Sequence, residues 1–333
     1  MVDQNTPLAE GELQVAGDII SRISSAYAAK MVGQERLRAS LLIALIAGGH
    51  ILLESVPGLA KTTAAQSLAD TVQASFRRIQ CTPDLLPSDI TGTQIYDAQA
   101  SSFRTVLGPV HSNFVLLDEI NRSSAKTQSA MLEAMQERQT TIGGEVHPLP
   151  KPFLVIATQN PIEQEGTYEL PEAQLDRFLL KEIVSYPSPE EEFEVLSRID
   201  SGVLDPARHL APSATLADVE TLQRTAARVH VSEAIRRYIV GLMYVTRNPA
   251  GYIGEENARY IKYGASPRGS IAFLQATRAF ALLQGRSHVL PEDVRSLRHV
   301  ILRHRVLLTF EAEADGVRSE DLIDQIFAAV PTP

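Results

Sequence analysis

The 333-residue sequence predicts a three-layer α/β fold with a parallel five-stranded sheet, followed by a smaller all-α domain. Short apolar runs alternate with helical segments in the first half of the chain, which is the pattern of βαβ units. Beyond the Tyr-Pro-Ser-Pro segment at residues 186–189, the strand signals fade and capped helical patterns continue. We therefore predict a lead-in segment at 1–30, an α/β domain with two β-hairpin insertions at 31–187, and a helical domain at 188–333.

Charge and cysteine content restrict the class of protein. The net charge of −9 and the pI near 5.5 argue against a nucleic-acid partner, because proteins that bind nucleic acid usually carry a basic surplus. The single cysteine, Cys81, rules out an internal disulfide and suits a reducing cytoplasm, and we expect it to be a buried, inert thiol. The N-terminus lacks the pattern of a signal peptide, and the apolar run at 41–47 is far shorter than the roughly 20 residues of a membrane span. We expect a cytoplasmic protein without an integral membrane segment.

The first elements of the chain lead up to a strand. We predict a lead-in helix within residues 1–30, where the apolar pattern is weak. The next helix begins near residue 35, because leucines recur every four residues along one face, and Gly48 ends it. Residues 50–54 form a short apolar run that predicts the first strand of the sheet.

The residues after this strand have the arrangement of a phosphate-binding loop. A strand, a tight turn of glycine and proline, and a Lys-Thr pair that opens a helix present N–H groups and a helix dipole to an anion. We expect Lys61 to reach the terminal phosphates and Thr62 to place its hydroxyl on Mg²⁺. Ser55 and Ala60 stand where the common motif has glycine, and the alternative interpretation is an ordinary strand–turn–helix corner. The predicted nucleotide-binding residues of the loop are Ser55, Val56, Pro57, Gly58, Leu59, Ala60, Lys61, Thr62 and Thr63.

Two hairpins are predicted on either side of the third strand. Residues 75–80 predict the second strand, and residues 93–107 predict a hairpin with a polar tip, for which a surface loop is the alternative. A helix is expected over 124–137. A second hairpin is expected over 139–153, with its turn at Gly143-Gly144.

The third strand, at residues 113–119, is a continuous apolar run that ends in Asp118 and Glu119. An unbroken apolar run suits a parallel strand buried on both faces, where carboxylates without partners are costly. A magnesium ion and an attacking water would explain the two acids. Asp118 would hold the water shell of the metal, and Glu119 would polarise the attacking water. The alternative is a pair of solvated acids at a strand end.

Asn160 follows the fourth predicted strand, at residues 153–158, and should lie at the same sheet edge as Asp118. An amide there would orient the water near the γ-phosphate, and the alternative is a turn-forming Asn before Pro161. A short helix at 170–177 and a fifth strand at 178–184 complete the predicted sheet.

The C-terminal part predicts a small helical bundle. Thr215 and Asp218 have the spacing of a capping box, and further helices should begin at Ser232, Ser266, Pro291 and Ser319. Residues 248–263 are rich in Gly and Tyr and predict a loop.

These motifs together resemble the AAA+ superfamily and, within it, the MoxR family. They occur in the order of that family and cover about residues 30–305. Ala60 is common in the family, whereas Ser55 in place of glycine is a departure that bears on loop geometry. The blocks that carry the resemblance are Val56-Pro57-Gly58-Leu59-Ala60-Lys61-Thr62, Asp118-Glu119-Ile120-Asn121-Arg122, Ala125-Lys126-Thr127-Gln128, Leu132-Glu133-Ala134-Met135-Gln136-Glu137-Arg138, Ala157-Thr158-Gln159-Asn160-Pro161, Leu170-Pro171-Glu172-Ala173-Gln174-Leu175-Asp176-Arg177-Phe178 and Gly264-Ala265-Ser266-Pro267-Arg268.

By this resemblance, the phosphate loop, the Asp-Glu pair and the nearby amide belong to one site for ATP or ADP with Mg²⁺. The matched residues are Lys61 and Thr62 for the first Walker motif, Asp118 and Glu119 for the second, Asn160 for sensor one, and Val32, Gly33 and Gln34 near the adenine.

Two arginines complete the site by the same resemblance. Arg177 matches the arginine finger, which acts on the ATP of a neighbouring subunit, and Arg268 matches sensor two, which reaches the phosphates from the lid. The alternative for Arg177 is a surface ion pair with Asp176 or Glu172. The alternative for Arg268 is a solvated side chain, although a cation at a helix N-terminus is electrostatically unfavourable and hints at an anion nearby.

The implied function is ATP hydrolysis in a hexameric ring, coupled to chaperone-like remodelling or activation of a partner protein that carries a von Willebrand A domain. The two hairpins would line the pore of the ring. One alternative is a nucleic-acid remodelling ATPase with the same core, against which the charge of −9 and the lack of a DNA-binding module weigh. Another is a nucleotide-gated binding module with little turnover, against which the presence of both Glu119 and Arg177 weighs.

Overall fold

The computed structural model describes residues 8–161, 170–202 and 213–333. These residues belong to two compact units, which we call the α/β unit and the helical unit. The α/β unit comprises Asp18–Leu170 and Glu182–Thr221, and the helical unit comprises Met1–Gly17, Pro171–Lys181 and Leu222–Pro333. The domain limits proposed from the sequence, at residues 30 and 187, stay predictions, and residues 1–7 of the lead-in segment lie outside the described residues.

The strands and helices are numbered in chain order. The strands are β1 (Ile51–Glu54), β2 (Phe76–Gln80), β3 (Gly92–Asp97), β4 (Ser102–Leu107), β5 (Phe114–Asp118), β6 (Gln139–Ile142), β7 (Glu145–Pro148), β8 (Leu154–Gln159), β9 (Leu180–Ile183), β10 (Ile261–Tyr263) and β11 (Leu307–Leu308). The helices are α1 (Glu10–Lys30), α2 (Glu35–Ala47), α3 (Lys61–Thr71), α4 (Pro87–Thr91), α5 (Ala125–Glu137), α6 (Glu172–Leu175), α7 (Pro189–Asp200), α8 (Leu216–Ala227), α9 (Glu233–Arg247), α10 (Ala250–Ala258), α11 (Pro267–Leu283), α12 (Pro291–Ser296), α13 (Arg298–Leu302), α14 (Phe310–Ala314) and α15 (Ser319–Ala329).

The predicted five-stranded sheet is confirmed, with the strand order β2-β5-β8-β1-β9. The pairs β2–β5, β5–β8 and β8–β1 are parallel. Every residue of β5 is buried, so both faces of this central strand are covered. The register places Gln80 opposite Asp118 and Glu54 opposite Gln159, which brings the carboxyl ends of the strands to one edge.

Both hairpins predicted from the sequence are present. β3 pairs with β4 in an unbroken antiparallel register from Gly92 opposite Leu107 to Asp97 opposite Ser102. β6 pairs with β7 through a two-residue turn at Gly143 and Gly144, whose φ angles are 59° and 87°. Two consecutive positive φ angles match the twist of a hairpin, and glycine adopts them without a steric cost.

The helical unit has its own core and the caps that the sequence predicts. Phe327 of α15 packs against Phe273 of α11 and Tyr238 of α9, with ring centroids 6.3 and 6.4 Å away. The Ser232 hydroxyl accepts a hydrogen bond from the N–H of Ile235, so it caps α9 as expected. No helix among the described residues combines the length and the apolar character that a membrane span requires.

The prediction of a loop over residues 248–263 is wrong. This segment contains α10 and β10, and β10 pairs antiparallel with β11. Gly254 interrupts the helical geometry of α10 with a φ of 79°. The residues before and after it therefore do not share one continuous helical periodicity, which is the pattern that predicts a helix. β10 is three residues long and pairs with a strand far along the chain, so local alternation did not reveal it.

Candidate functional site

The phosphate loop turns sharply from β1 into α3. Ser55 continues the pairing of β1, because its N–H donates to the Gln159 carbonyl at 3.1 Å. The chain then passes through Gly58 (φ 87°) and Ala60 (φ 52°), and α3 begins at Lys61. A left-handed residue that carries a side chain costs roughly 1–2 kcal/mol, which the loop tolerates at Ala60. The loop thus ends at a helix N-terminus, where N–H groups without helical acceptors attract anions.

The departure from the common motif at Ser55 is accommodated by ordinary backbone geometry. Ser55 lies outside the left-handed region, is 3% exposed, and donates its hydroxyl to the Val56 carbonyl at 3.0 Å. The Lys61 ammonium donates to the Ser55 carbonyl at 3.2 Å. Ser55 therefore takes part in holding Lys61 over the loop, and no glycine is required there.

A cavity of about 640 Å³ lies beside the phosphate loop, a volume in the usual range of small-molecule sites. Gln34 lines it and donates its amide to the Ser185 carbonyl at 3.0 Å. Gly33 precedes it with a φ of 61°, and a Cβ there would collide with the Glu191 side chain. The residues that line the cavity are Lys30, Met31, Val32, Gln34, Pro57, Gly58, Leu59, Ala60, Thr63, Tyr186, Pro187, Glu192, Val195 and Leu196.

A second cavity, of about 630 Å³, lies within the helical unit. It is lined by apolar side chains such as Val240 and Tyr244 with Arg236 and Arg237, and by Val330 near the end of the chain. It has the volume of a ligand site, but none of its lining residues belongs to the phosphate loop. The first cavity is the one that combines an apolar lining with the loop at the start of α3, as the sequence predicts for a nucleotide site.

Both acids at the end of β5 are held by hydrogen bonds. The Asp118 carboxylate accepts from the Thr158 hydroxyl at 2.7 Å on Oδ1, and from Arg78 Nε at 3.1 Å and Nη2 at 2.5 Å on Oδ2. Its side chain is 12% exposed, so Asp118 is not a solvated acid at a strand end. The partners supply the hydrogen bonds that a buried carboxylate needs.

Glu119 is held in an uncommon conformation beside Asp118. Its φ and ψ of 57° and 53° are left-handed, and its N–H donates to the Thr158 hydroxyl at 2.8 Å. Its carboxylate Oε2 accepts from Gln80 Nε2 at 3.0 Å and from Arg122 Nη1 at 3.2 Å. Strained residues of this kind persist where the surroundings over-determine them, and they cluster at functional sites.

The oxygen groups at this edge suit a magnesium ion. Thr62, the second residue of α3, offers a hydroxyl, and Asp118 offers a carboxylate; Mg²⁺ prefers such oxygen ligands. Among the described residues, no three His, Cys, Asp or Glu side chains cluster as a metal site. A magnesium ion held by Thr62 and Asp118 would take its remaining ligands from water and phosphate. Asn160, which is 3% exposed, follows the end of β8 at the same edge.

The turn that carries Arg177 is tied to the start of α11. Asp176 accepts from Arg305 Nε at 2.9 Å and from the Ser266 hydroxyl at 2.6 Å. Arg305 also donates to the Phe178 carbonyl at 2.6 Å, and burial lowers its pKa to about 10, so it stays a cation at neutral pH. These bonds hold residues 176–178 as a turn, so the helix predicted over 170–177 is confined to α6.

The two candidate arginines of the helical unit are without acidic partners among the described residues. Arg177 forms no ion pair there, and its buried Nε has no hydrogen-bond acceptor, because Asp176 is committed to Arg305 and Ser266. Arg177 therefore does not form the surface ion pair with Asp176 or Glu172 that was the alternative interpretation. Arg268 is exposed at the second position of α11, and its N–H donates to the Ser266 hydroxyl at 3.0 Å.

Comparison with known proteins agrees with this geometry. Residues 50–180 match the model of the ATPase family associated with various cellular activities (AAA), and residues 254–326 match the AAA lid domain. Chaperone MoxR1 of Mycobacterium tuberculosis is 48% identical over 91% of this chain and 79% of its own length. Protein MoxR of Paracoccus denitrificans is 34% identical, covering 91% of this chain and 93% of its own length.

The chain belongs to the MoxR family of AAA+ ATPases. The crystal structure of a putative ATPase from Cytophaga hutchinsonii superimposes with a TM-score of 0.90 and is 44% identical over 97% of this chain and 98% of that one. The uncharacterised protein YeaC of Bacillus subtilis is 46% identical over 91% of each chain. The resemblance derived from the sequence motifs is thereby confirmed.

Sequence reasoning about this MoxR-family ATPase missed the residues that hold the two acids. Thr158 lies within a block that carried the resemblance, but no role was deduced for it. Arg78 and Gln80 alternate with buried Ile79 on β2. This alternation was the available signal that both side chains lie on the same face of the strand. Cys81, which directly follows β2, is 2% exposed, and burial raises the pKa of its thiol to about 12, as expected for an inert cysteine.

Replacing Ser55 by Gly should leave nucleotide affinity within about twofold, because the backbone at this position is accessible to any residue. The free energy of unfolding should fall by about 1 kcal/mol, since glycine adds chain entropy to the unfolded state. A nucleotide titration and a denaturant unfolding curve measure the two effects. A loss of affinity beyond about tenfold would show that the serine has a role in the loop that its contacts do not reveal.

Replacing Thr158 by Val should lower kcat about 10- to 100-fold, because both acids lose the hydroxyl that positions them. The free energy of unfolding should fall by about 1–3 kcal/mol, since a buried carboxylate oxygen and a buried N–H lose their partner. Steady-state hydrolysis and thermal melting are the measurements. Thr158→Ser keeps the hydroxyl and is the matched control; equal losses in both variants would contradict the bridging role.

Proposed function

We propose that this chain hydrolyses ATP with Mg²⁺ in a hexameric ring, and that hydrolysis drives the remodelling or activation of a partner protein in the cytoplasm. The observation that carries the hydrolytic part is Glu119, held in a left-handed conformation beside the buried Asp118 by one hydroxyl, Thr158. That conformation is costly, and a catalytic carboxylate at the strand edge gives a reason for it.

The proposed chemistry divides among residues of the α/β unit. The loop from Ser55 to Thr63 binds the phosphates through its backbone, and Lys61 neutralises the terminal ones. Thr62 and Asp118 would hold Mg²⁺, Asp118 through water, and the metal would neutralise charge that develops on the phosphates.

Glu119 polarises the attacking water and accepts its proton, and Asn160 orients that water. Gln80 and Arg122 both donate to Glu119 Oε2, and these bonds orient the carboxylate that acts on the water. The cavity lined by Val32 and Gln34, with Gly33 between them, accommodates the adenine.

The ring is supported by Arg177 and by the distribution of charge. Arg177 has no acidic partner among the described residues, and we propose that it meets the γ-phosphate bound by a neighbouring copy. Arg268 has the role of sensor two in the lid. The α/β unit contains 24 acidic and 14 basic residues, whereas the helical unit contains 16 acidic and 17 basic ones. Such asymmetry favours a head-to-tail contact between copies, in which unlike surfaces meet.

The first hairpin is the part of the α/β unit that we propose to contact the partner protein. Tyr96 and Phe103 face each other across β3 and β4 with ring centroids 5.4 Å apart, and they are 56% and 67% exposed. An exposed aromatic pair on a two-stranded ribbon contributes little to folding and is typical of a binding surface. Membership of the MoxR family points to a partner with a von Willebrand A domain, and no nucleic acid is expected at the charge of −9.

Replacing Glu119 by Gln should leave ATP binding intact and slow hydrolysis about 100-fold or more, because the amide accepts no proton from water. Equilibrium binding of ATP and single-turnover hydrolysis separate the two effects. Near-normal turnover would remove Glu119 as the base. The same variant, held in ATP, is the form with which to capture the partner protein.

Replacing Arg177 by Ala should slow hydrolysis by about 100-fold or more while ATP binding stays near normal, because the finger acts on charge that develops in the transition state. Mixing this variant with Lys61→Ala should restore part of the activity, since a mixed interface joins an intact loop to an intact finger. Light scattering would show whether the mixtures form rings.

Arg318→Ala, which removes an exposed arginine paired with Asp321, is the matched control and should retain activity. Rings that form without any recovery of hydrolysis in the mixture would argue against a site shared between subunits.

A further inference from the structure

A guanidinium lies on the carboxylate that the proposed function assigns to Mg²⁺. Arg78 projects from β2, and two of its nitrogens, Nε and Nη2, donate to the same oxygen of Asp118, Oδ2. The parallel register places Gln80 opposite Asp118, so Arg78 lies two residues before the strand end. Side chains two residues apart on a strand point to the same face, which directs Arg78 and Gln80 toward the two acids.

The contact leaves little of the Asp118 carboxylate for another partner. Oδ1 accepts from Thr158, and Oδ2 accepts twice from Arg78. The Thr158 bond belongs to the buried core of the site, because Thr158 is 0% exposed. The Arg78 side chain is 49% exposed, so its guanidinium can move into water, where its own charge is solvated. Of the two partners, Arg78 is therefore the one whose bonds to Asp118 can open.

A hydrated magnesium ion and Arg78 both need the Asp118 carboxylate as a hydrogen-bond acceptor. The water shell of the metal needs a free lone pair on the carboxylate as an acceptor. A guanidinium at hydrogen-bond distance from that carboxylate also repels the dication, since like charges this close interact unfavourably. Occupation by one partner thus lowers the affinity for the other, as required when two ligands compete for one group.

We propose that Arg78 competes with Mg²⁺ for Asp118 and so sets the magnesium concentration at which the nucleotide binds tightly. In this structure Arg78 satisfies the buried acid, and it withdraws when the hydrated cation arrives. Arg78 is a positioning residue that acts through Asp118 and makes no contact with the reacting atoms. The inference rests on the Mg²⁺ site of the proposed function.

The test measures binding at equilibrium and needs no hydrolysis. The affinity for a fluorescent ADP analogue is titrated against free Mg²⁺ in the wild-type chain and in Arg78→Ala. The Mg²⁺ concentration for half of the affinity gain should fall about five- to tenfold in the variant, the ratio expected for one partly exposed, charge-assisted hydrogen-bonding contact. An unchanged or higher Mg²⁺ requirement would overturn the competition, because a purely supporting Arg78 would raise it.

Arg77→Ala is the matched control, since it removes the same charge from the neighbouring, exposed position of β2, opposite Val115. Its Mg²⁺ requirement should stay within about twofold of wild type. An equal shift in both variants would mean that general charge, and not the contact with Asp118, controls the metal, and would overturn the proposal.

Arg78→Gln covers the case in which Arg78→Ala does not fold, because the amide can still donate to Asp118 without the charge. Its Mg²⁺ requirement should fall at least about twofold, and no fall would overturn the competition. A wild-type affinity that does not respond to Mg²⁺ would overturn the metal site and the competition together. A responsive wild type with unshifted Arg78 variants overturns the competition alone.

Discussion

The burial of Asp118 at the end of a central parallel strand is the constraint on which the site depends. A carboxylate in that position must be hydrogen-bonded, and the partners come from both flanking strands: Thr158 of β8 and Arg78 of β2. The same Thr158 hydroxyl accepts the N–H of Glu119 and holds the second acid in its left-handed turn. The pairing order β2-β5-β8 therefore brings the two acids together with the residues that hold them.

A comparable arrangement orders the two candidate arginines within the helical unit. Asp176 is shared by the buried Arg305 and by the hydroxyl that caps α11, so the turn with Arg177 and the helix start with Arg268 are held by one carboxylate. Because that carboxylate is already committed, the two candidate arginines keep their charge for an anion. In each unit, one acid with fixed donors, Asp118 or Asp176, positions the groups that we propose to act on ATP.

The motifs predicted much of the fold and most of the candidate site. Periodicity placed the five strands, both hairpins and the helix caps, since these follow from local patterns of apolar, glycine and serine residues. It failed at residues 248–263, where Gly254 interrupts the helix and β10 is too short to show a pattern. The motif also did not show whether serine fits at position 55, because a motif does not specify the φ angle of each residue. In the structure, the φ angle of Ser55 lies outside the left-handed region.

The amino-acid sequence alone determined the family, the sheet and the identity of the charged groups, because Lys61, Asp118, Glu119 and Arg177 occur in short motifs whose spacing carries the chemistry. Only the tertiary structure decided the partners of those groups. Arg78 meets Asp118 across 40 positions of the chain, and Arg305 meets Asp176 across 129. Such contacts depend on strand register and on how a turn packs against a distant helix, and local sequence patterns encode neither of these.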